Sequence, residues 1–402
     1  MKKWLWVLLI PFLLTLAVPG TALADDDIDR MVADEIEKEI RDNIANALST
    51  ADLHELEQYY QEYAQTLSPV TGGRDLKSFI TMLAQGGSEL TADAFYGMVA
   101  DALLAGLKLA IPAVAQIIIV ALVFSLISHF KPSFGETSVS KAAQTAQYVI
   151  VGTMALGMFA SAFSIGSGAI EAMSSFTGEF FPLMLALLTA LGGLTSAAIL
   201  NPATVVLTTG ISMLYKAFVL PLIILLAVFT LISHYSSTIK LSGFCCLFKT
   251  IIKWGIGIGL TIFIGVVTVQ GLLGSSFDGV SIKTAKFTID KFVPIVGSLF
   301  AQSVDVVISC TLLIKNAVGI AGIIIIAAIV ISPAFAILAH YFLFKLTGAV
   351  LEPIAGNGIC KFVQDAADVL MMLFVAVMAA AIMYFVTTAV IIGAGNANIM
   401  LR

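Results

Sequence analysis

The chain has 402 residues, of which 59% are hydrophobic and 12% charged, with a mean hydropathy of +1.00 and a formal net charge of −5. This balance excludes an ordinary soluble domain, and the lack of any basic run argues against a nucleic-acid partner. The four cysteines, Cys245, Cys246, Cys310 and Cys360, all lie beyond residue 240, so no disulfide framework holds the N-terminal region. Cys245 and Cys246 have neither zinc-ligand spacing nor nearby histidines, and read as two small apolar residues near a helix start.

Residues 1–24 have the layout of a signal peptide. Lys2 and Lys3 precede an apolar core from Trp4 to Ala17, Pro19 and Gly20 break it, and Ala22-Leu23-Ala24 forms an A-x-A cleavage site before Asp25-Asp26-Asp27. An uncleaved anchor is the alternative. Either way, the following segment is expected outside the cytoplasm.

Residues 25–102 form an acidic helical exodomain. Between positions 25 and 100 there are sixteen Asp and Glu against five Lys and Arg. Ile28, Val32, Ile36, Ile40, Ile44 and Leu48 recur every four residues, which is a helical stripe. Asp52 and Glu55 have capping-box spacing before a second helix, in which Leu53, Leu56, Tyr60, Tyr63 and Leu67 alternate by three and four. Pro69, Gly72 and Gly73 are expected to end it. A third helix carries Leu76, Phe79, Ile80 and Leu83, and a fourth begins near Thr91. A domain of this size has a marginal core. The stripe Leu53–Leu67 is therefore either bundle core or a candidate partner contact.

The membrane domain, 103–402, contains expected spans at about 109–129, 146–169, 216–235, 254–274, 317–344 and 368–393. Lys131 with Lys141, Lys240 with Lys249 and Lys253, and Lys345 with Lys361 mark three loops for the cytoplasmic side. Lys108, Lys216, Lys283, Lys286, Lys291 and Lys315 then fall on or near the outer face. Two further apolar stretches, 181–200 and 295–314, either re-enter the membrane, with Gly192-Gly193 and Asn201-Pro202 or Pro294 and Gly297 as breaks, or add two plain spans. The total is thus six to eight transmembrane or re-entrant helices. Irregular backbone at membrane depth requires protein or a wet cavity around it.

Internal repetition is the second pattern. S-L-I-S-H-F ends at 130, T-L-I-S-H-Y at 235 and A-I-L-A-H-Y at 341, placing His129, His234 and His340 at nearly equal intervals. F-T-G-E-F-F-P at 176–182 is echoed by F-T-I-D-K-F-V-P at 287–294. The fold class expected is all-α: a polytopic helical membrane protein with internal repeats and re-entrant segments behind a small helical exodomain.

Few polar residues interrupt the apolar runs. Asp305 is a candidate pathway residue because intramembrane carboxylates are costly; an interfacial Asp305 paired with Lys315 is the other reading. His129, His234 and His340 are read as helix-end residues, where positive charge is favoured, with a proton relay as the alternative. Gly255, Gly257 and Gly259 look like half of a nucleotide fingerprint, but inside a membrane helix they imply close packing. Ser138 and Lys141 have S-x-x-K spacing without a soluble fold around it. No catalytic constellation and no cofactor site emerges, and no metal site is expected.

Four strings then carry a resemblance: I-P-A-V-A-Q-I-I-I-V-A-L-V-F-S-L-I-S-H-F at 111–130, F-F-P-L-M-L-A-L-L-T-A-L-G-G at 180–193, L-T-G-A-V-L-E-P-I at 346–354 and F-V-Q-D-A-A-D-V-L at 362–370. Together with the signal peptide, exodomain and polytopic body, the chain resembles the stage III sporulation protein AE family over nearly its whole length. The resemblance implies a non-enzymatic membrane subunit of a secretion-like channel complex. Its expected place is the mother-cell membrane around the engulfed forespore, with the exodomain in the intermembrane space. Its expected role is to maintain the forespore and its late gene expression. It further implies as partners other proteins of the stage III sporulation A operon, a forespore-side channel partner, and an Oxa/YidC-type insertase during biogenesis, besides the lipid bilayer. The residues alone leave a second class open, an independent secondary transporter for an ion or small solute.

Overall fold

A computed structural model describes residues 53–87, 92–129, 138–191, 193–235, 241–274, 297–355 and 357–393, all within one compact unit that spans Ile44–Arg402. The expected signal peptide and the stripe Ile28–Leu48 lie outside the described residues, as does the echo at 287–294.

Three short helices come first: α1 (His54–Glu62), α2 (Ala64–Thr71) and α3 (Leu76–Ala84). The single helix expected across Leu53–Leu67 is broken at Tyr63, and α2 continues through Pro69 to end at Gly72, whose φ of 61° closes the helix in the left-handed region. Asp75 caps α3 by accepting a hydrogen bond from the Ser78 amide at 3.2 Å. That bond, and a second from the Ser78 hydroxyl, hold the Asp75 carboxyl below its ordinary pKa. The Tyr60 hydroxyl donates to the Arg74 carbonyl at 2.6 Å and ties α1 to the α2–α3 turn.

The membrane body consists of α4 (Ala92–His129), α5 (Ser138–Ala190), α6 (Leu194–Met213), a π-helical turn at Leu214–Val219, α7 (Leu220–Tyr235), α8 (Ser242–Gly274), α9 (Gly297–Ala355) and α10 (Asn357–Gly393). Six stretches of described helix are long and apolar enough to cross a membrane: Asp93–Phe124, Thr145–Ala190, Ser196–His234, Ser242–Gln270, Ser309–Pro353 and Gly358–Gly393. Each holds all or most of one expected span. Among the described residues no strand occurs, so the fold is all-α.

Three expectations require correction. The segment 297–314 does not turn back. It is the first part of the 59-residue helix α9, which continues through 317–344 without interruption. Its candidate breakers, Pro294 and Gly297, lie before or at the helix start, so nothing within the segment reverses the chain. The stretch 181–200 is likewise not a separate span. It comprises the end of α5 at Ala190 and the start of α6 at Leu194. The third histidine does not end its helix: α9 passes His340 and runs on to Ala355.

Close packing between helices depends on small residues, because lipid supplies no hydrophobic drive for helix association. α4 and α9 meet at Gly106, where an added Cβ would lie 2.7 Å from the Cα of Ala336. Gly255 and Gly259 of α8 similarly admit Phe218 and Leu214 of the π-helical turn, whereas Gly257 has nothing within 4 Å. The exodomain joins this body directly. The Tyr59 ring meets Phe176 edge-on at 5.1 Å, Phe176 stacks on Phe180 at 5.3 Å, and Phe180 fills the notch left by Gly322 of α9. Helices α2 and α3 also lie against α9, and α2 against α4.

Candidate functional site: an ionic network across four helices

The densest polar cluster joins the ends of α7 and α8 to α9 and α10. The His234 Nε2 lies 3.1 Å from the Asp365 carboxylate. Asp368, one turn further along α10, receives Lys345 Nζ of α9 at 2.9 Å and Lys249 Nζ of α8 at 3.5 Å. Lys345 also donates to the Gln364 carbonyl at 3.3 Å and stands 5.9 Å from the Tyr341 ring centroid. Beside this network, the Cys360 thiol donates to the Gly348 carbonyl at 3.1 Å, and Gln364 Nε2 donates to Cys360 Sγ at 3.3 Å. Gly348 leaves the space that Gln364 occupies. Two of the distinctive strings, 346–354 and 362–370, thus face one another here.

Neighbouring contacts fix the register of the network along α5. Gly358 faces Tyr148, and Gly166 faces Leu373 and Val377, so residues 365–368 lie beside 155–159 of α5. A small apolar cavity confirms this register: Ala155, Leu156 and Phe159 line it together with Phe362, Ala366 and Val369. On the α5 side, residues 155–159 therefore adjoin the network. The participating side chains are 16–36% exposed, which makes the network half-buried. Leaving a partly buried charge unpaired is costly. Pairing two carboxylates with two lysines and a histidine from separate helices meets that cost and fixes how the helices align.

Lys315 occupies a different end of the bundle. Its side chain is fully buried, and Nζ donates to the Ile392 carbonyl of α10 at 2.7 Å. A charge-assisted hydrogen bond to a backbone carbonyl offsets part of the cost of burying the ammonium. Lys315 was expected near the outer face; the structure uses it to join α9 to α10. Lys216, on the π-helical turn, pairs with Glu171 of α5 at 2.8 Å on the surface.

The remaining candidates lie apart from the network. His340 is buried in the interior of α9, with Nδ1 donating to the Ala336 carbonyl at 2.7 Å, and is not a helix-end residue. The helical backbone carries Asp305 and His129, but their side chains lie outside the described residues. In the exodomain, Leu53, Leu56, Tyr60 and Leu67 are all at most 3% exposed, and Tyr63 is half-buried. This corrects the expected partner contact, because the chain's own helices cover the stripe. Burial accordingly pushes the hydroxyl pKa of Tyr60 and Tyr63 up. Tyr59 rises through burial and the nearby Glu179 carboxylate. Sequence spacing did not reveal the His234–Asp365 pairing, since the partners stand 131 positions apart. The one signal was the polar spacing Gln364, Asp365, Asp368 inside an apolar segment.

Six apolar helices and an ionic network built from four of them define a multi-pass helical membrane protein with a docked helical domain. Comparison with known proteins then places it more closely. The family described as Stage III sporulation protein AE matches residues 74–395. The chain is also 30% identical over 407 aligned positions to the Stage III sporulation protein AE of Bacillus subtilis (strain 168), covering 100% of both chains. It belongs to the stage III sporulation protein AE family. No solved structure matches it significantly.

Proposed function

We propose that this chain is a non-enzymatic membrane subunit of a secretion-like channel complex that joins the mother cell to the engulfed forespore and maintains late gene expression there. The observation that supports this most is the continuity of exodomain and membrane body. Helices α1–α3 turn their apolar residues onto α4, α5 and α9, while Glu55, Gln58, Gln61, Glu62 and Gln65 remain exposed. A polar platform fixed rigidly on membrane helices suits a subunit that must present a surface to others. A solitary carrier has no need of one.

In this reading the protein sits in the mother-cell membrane around the forespore. The exodomain and the C-terminus face the intermembrane space, and 130–145, 236–253 and 345–367 face the cytoplasm. Its partners are other A-operon proteins and the forespore-side channel component, with an Oxa/YidC-type insertase acting during biogenesis. The test is purification in mild detergent from sporulating cells, followed by mass spectrometry of the intact assembly. Stable ring or ATPase partners are expected. A lone chain that performs solute counterflow in liposomes overturns the proposal in favour of an independent transporter. Orientation is checked separately: a cysteine placed at Ser138 of a cysteine-free version should resist an impermeant reagent added outside.

A further inference from the structure

We infer that His234 and Asp365 form a proton-binding site within the membrane body, holding one proton more than a neutral imidazole and an ionised carboxylate would carry. The argument is a count of donors and acceptors. His234 Nδ1 lies 2.9 Å from the Thr230 carbonyl oxygen, which only accepts. A hydrogen must therefore sit on Nδ1. In a neutral imidazole that choice leaves a lone pair on Nε2. Yet Nε2 lies 3.1 Å from Asp365 Oδ2, and an ionised carboxylate also only accepts. Two acceptors cannot share that short separation without a hydrogen between them. The second proton, taken up from water, resides either on Nε2 as an imidazolium or on the carboxyl group, and in both forms the pair holds it.

The surroundings bear on its retention. α10 contributes Lys361 and Asp368, α8 contributes Lys249 and the Cys245 thiol beside Thr230, and α9 contributes Lys345. The α5 side is apolar, with Ala155, Leu156 and Phe159, and the Phe362 ring stands 5.7 Å from the imidazole. The lysines oppose a further positive charge. Asp368 engages two of them directly, at 2.9 and 3.5 Å, which leaves the 3.1 Å contact with Asp365 as the closest charge to the ring. The site also joins elements distant in sequence, the end of α7 and the first half of α10. Loss of the proton would leave two lone pairs facing each other and loosen that joint. The bound ligand is the proton itself. The inference does not depend on the sporulation role proposed above.

The experiment uses the full-length protein in lipid nanodiscs with 15N-labelled histidine and 13C-labelled aspartate. Only four histidines are present, so His234 is assigned by elimination through His54→Gln, His129→Gln and His340→Gln, which leave the pair intact. At pH 7 the expected result is one imidazole protonated on both nitrogens, which reverts to a single protonated nitrogen in Asp365→Asn. The same wild-type sample gives the carboxyl infrared band of Asp365. A neutral imidazole with a protonated carboxyl also supports the site. A neutral imidazole beside an ionised Asp365 overturns it, and so does a His234 cation that Asp365→Asn leaves unchanged.

Discussion

Alanine at Gly106 and alanine at Gly97 should have opposite effects, although both replace a glycine in the same helix. In a helix interior, alanine is favoured over glycine by roughly 1 kcal/mol. At Gly97 a Cβ meets nothing within 4 Å, so this preference stands alone and Gly97→Ala should stabilise by up to about 1 kcal/mol. At Gly106 the Cβ would lie 2.7 Å from Ala336 Cα, 3.1 Å from the Ala339 side chain and 3.1 Å from the Phe335 carbonyl. Ordinary carbon contact needs about 3.5–4.0 Å, so α4 must withdraw from α9 by close to 1 Å. The obstructing atoms include backbone and cannot rotate away. Overpacking of this kind costs about 1–3 kcal/mol, and a gap of this size forfeits a quarter to a half of the dispersion energy at the displaced atoms. The net effect expected for Gly106→Ala is destabilisation of up to about 2 kcal/mol after the propensity gain is subtracted. Thermal unfolding of both variants in one detergent, followed by near-ultraviolet circular dichroism, measures the difference. If Gly106→Ala melts at or above the wild-type temperature, the close approach of α4 and α9 is wrong.

Other substitutions test separate contacts. Tyr60→Phe removes the hydroxyl bonded to the Arg74 carbonyl and should cost about 1 kcal/mol, while Tyr60→Ala should cost about 3–5 kcal/mol and lower protein abundance, as blotting of membranes will show. Asp75→Ala removes the cap of α3 and should cost about 1 kcal/mol locally, read from faster exchange of the Ser78 amide. Because the folded-state pKa of Asp75 is depressed, its stabilisation is present above the unfolded value and is lost as pH falls through the folded one; the exchange difference between wild type and Asp75→Ala should vanish in acid. Lys315→Met removes the bond to the Ile392 carbonyl and should loosen the contact between α9 and α10 there, increasing exchange near Ile392 while leaving the network at Asp368 unchanged.

Much of the fold was legible because apolarity over twenty or more residues is a strong signal. The six spans were readable on that basis alone; of the two breaks read in 181–202, Gly193 lies between α5 and α6, whereas Asn201-Pro202 lies inside α6. The segment 295–314 misled for a specific reason: Pro294 and Gly297 look like breakers, but breakers outside a helix delimit it and do not fold it back. Asp305 and Lys315 drew attention as charges in an apolar run. The structure explains Lys315 through a carbonyl 77 residues away, which no local spacing predicts. The same holds for the network. His234 was visible as a repeated helix ending, whereas Asp365 and Asp368 were visible only as part of a distinctive string. Tertiary packing brought them together. The exodomain stripe carried a correct pattern but an undetermined partner, since periodicity shows which face is buried without showing against what.

The contact between Gly106 and Ala336 also has a consequence in time. The two residues are 230 positions apart, and synthesis at about 5–20 residues per second puts roughly 12–46 s between their emergence from the ribosome. For that interval the notch at Gly106 lacks the helix that fills it, although α5, which also packs against α4, is already made. Four of the six apolar segments are synthesised before α9 can dock on them. A protein with this wiring gains more than most from a factor that receives early helices and holds them apart until the late one is inserted.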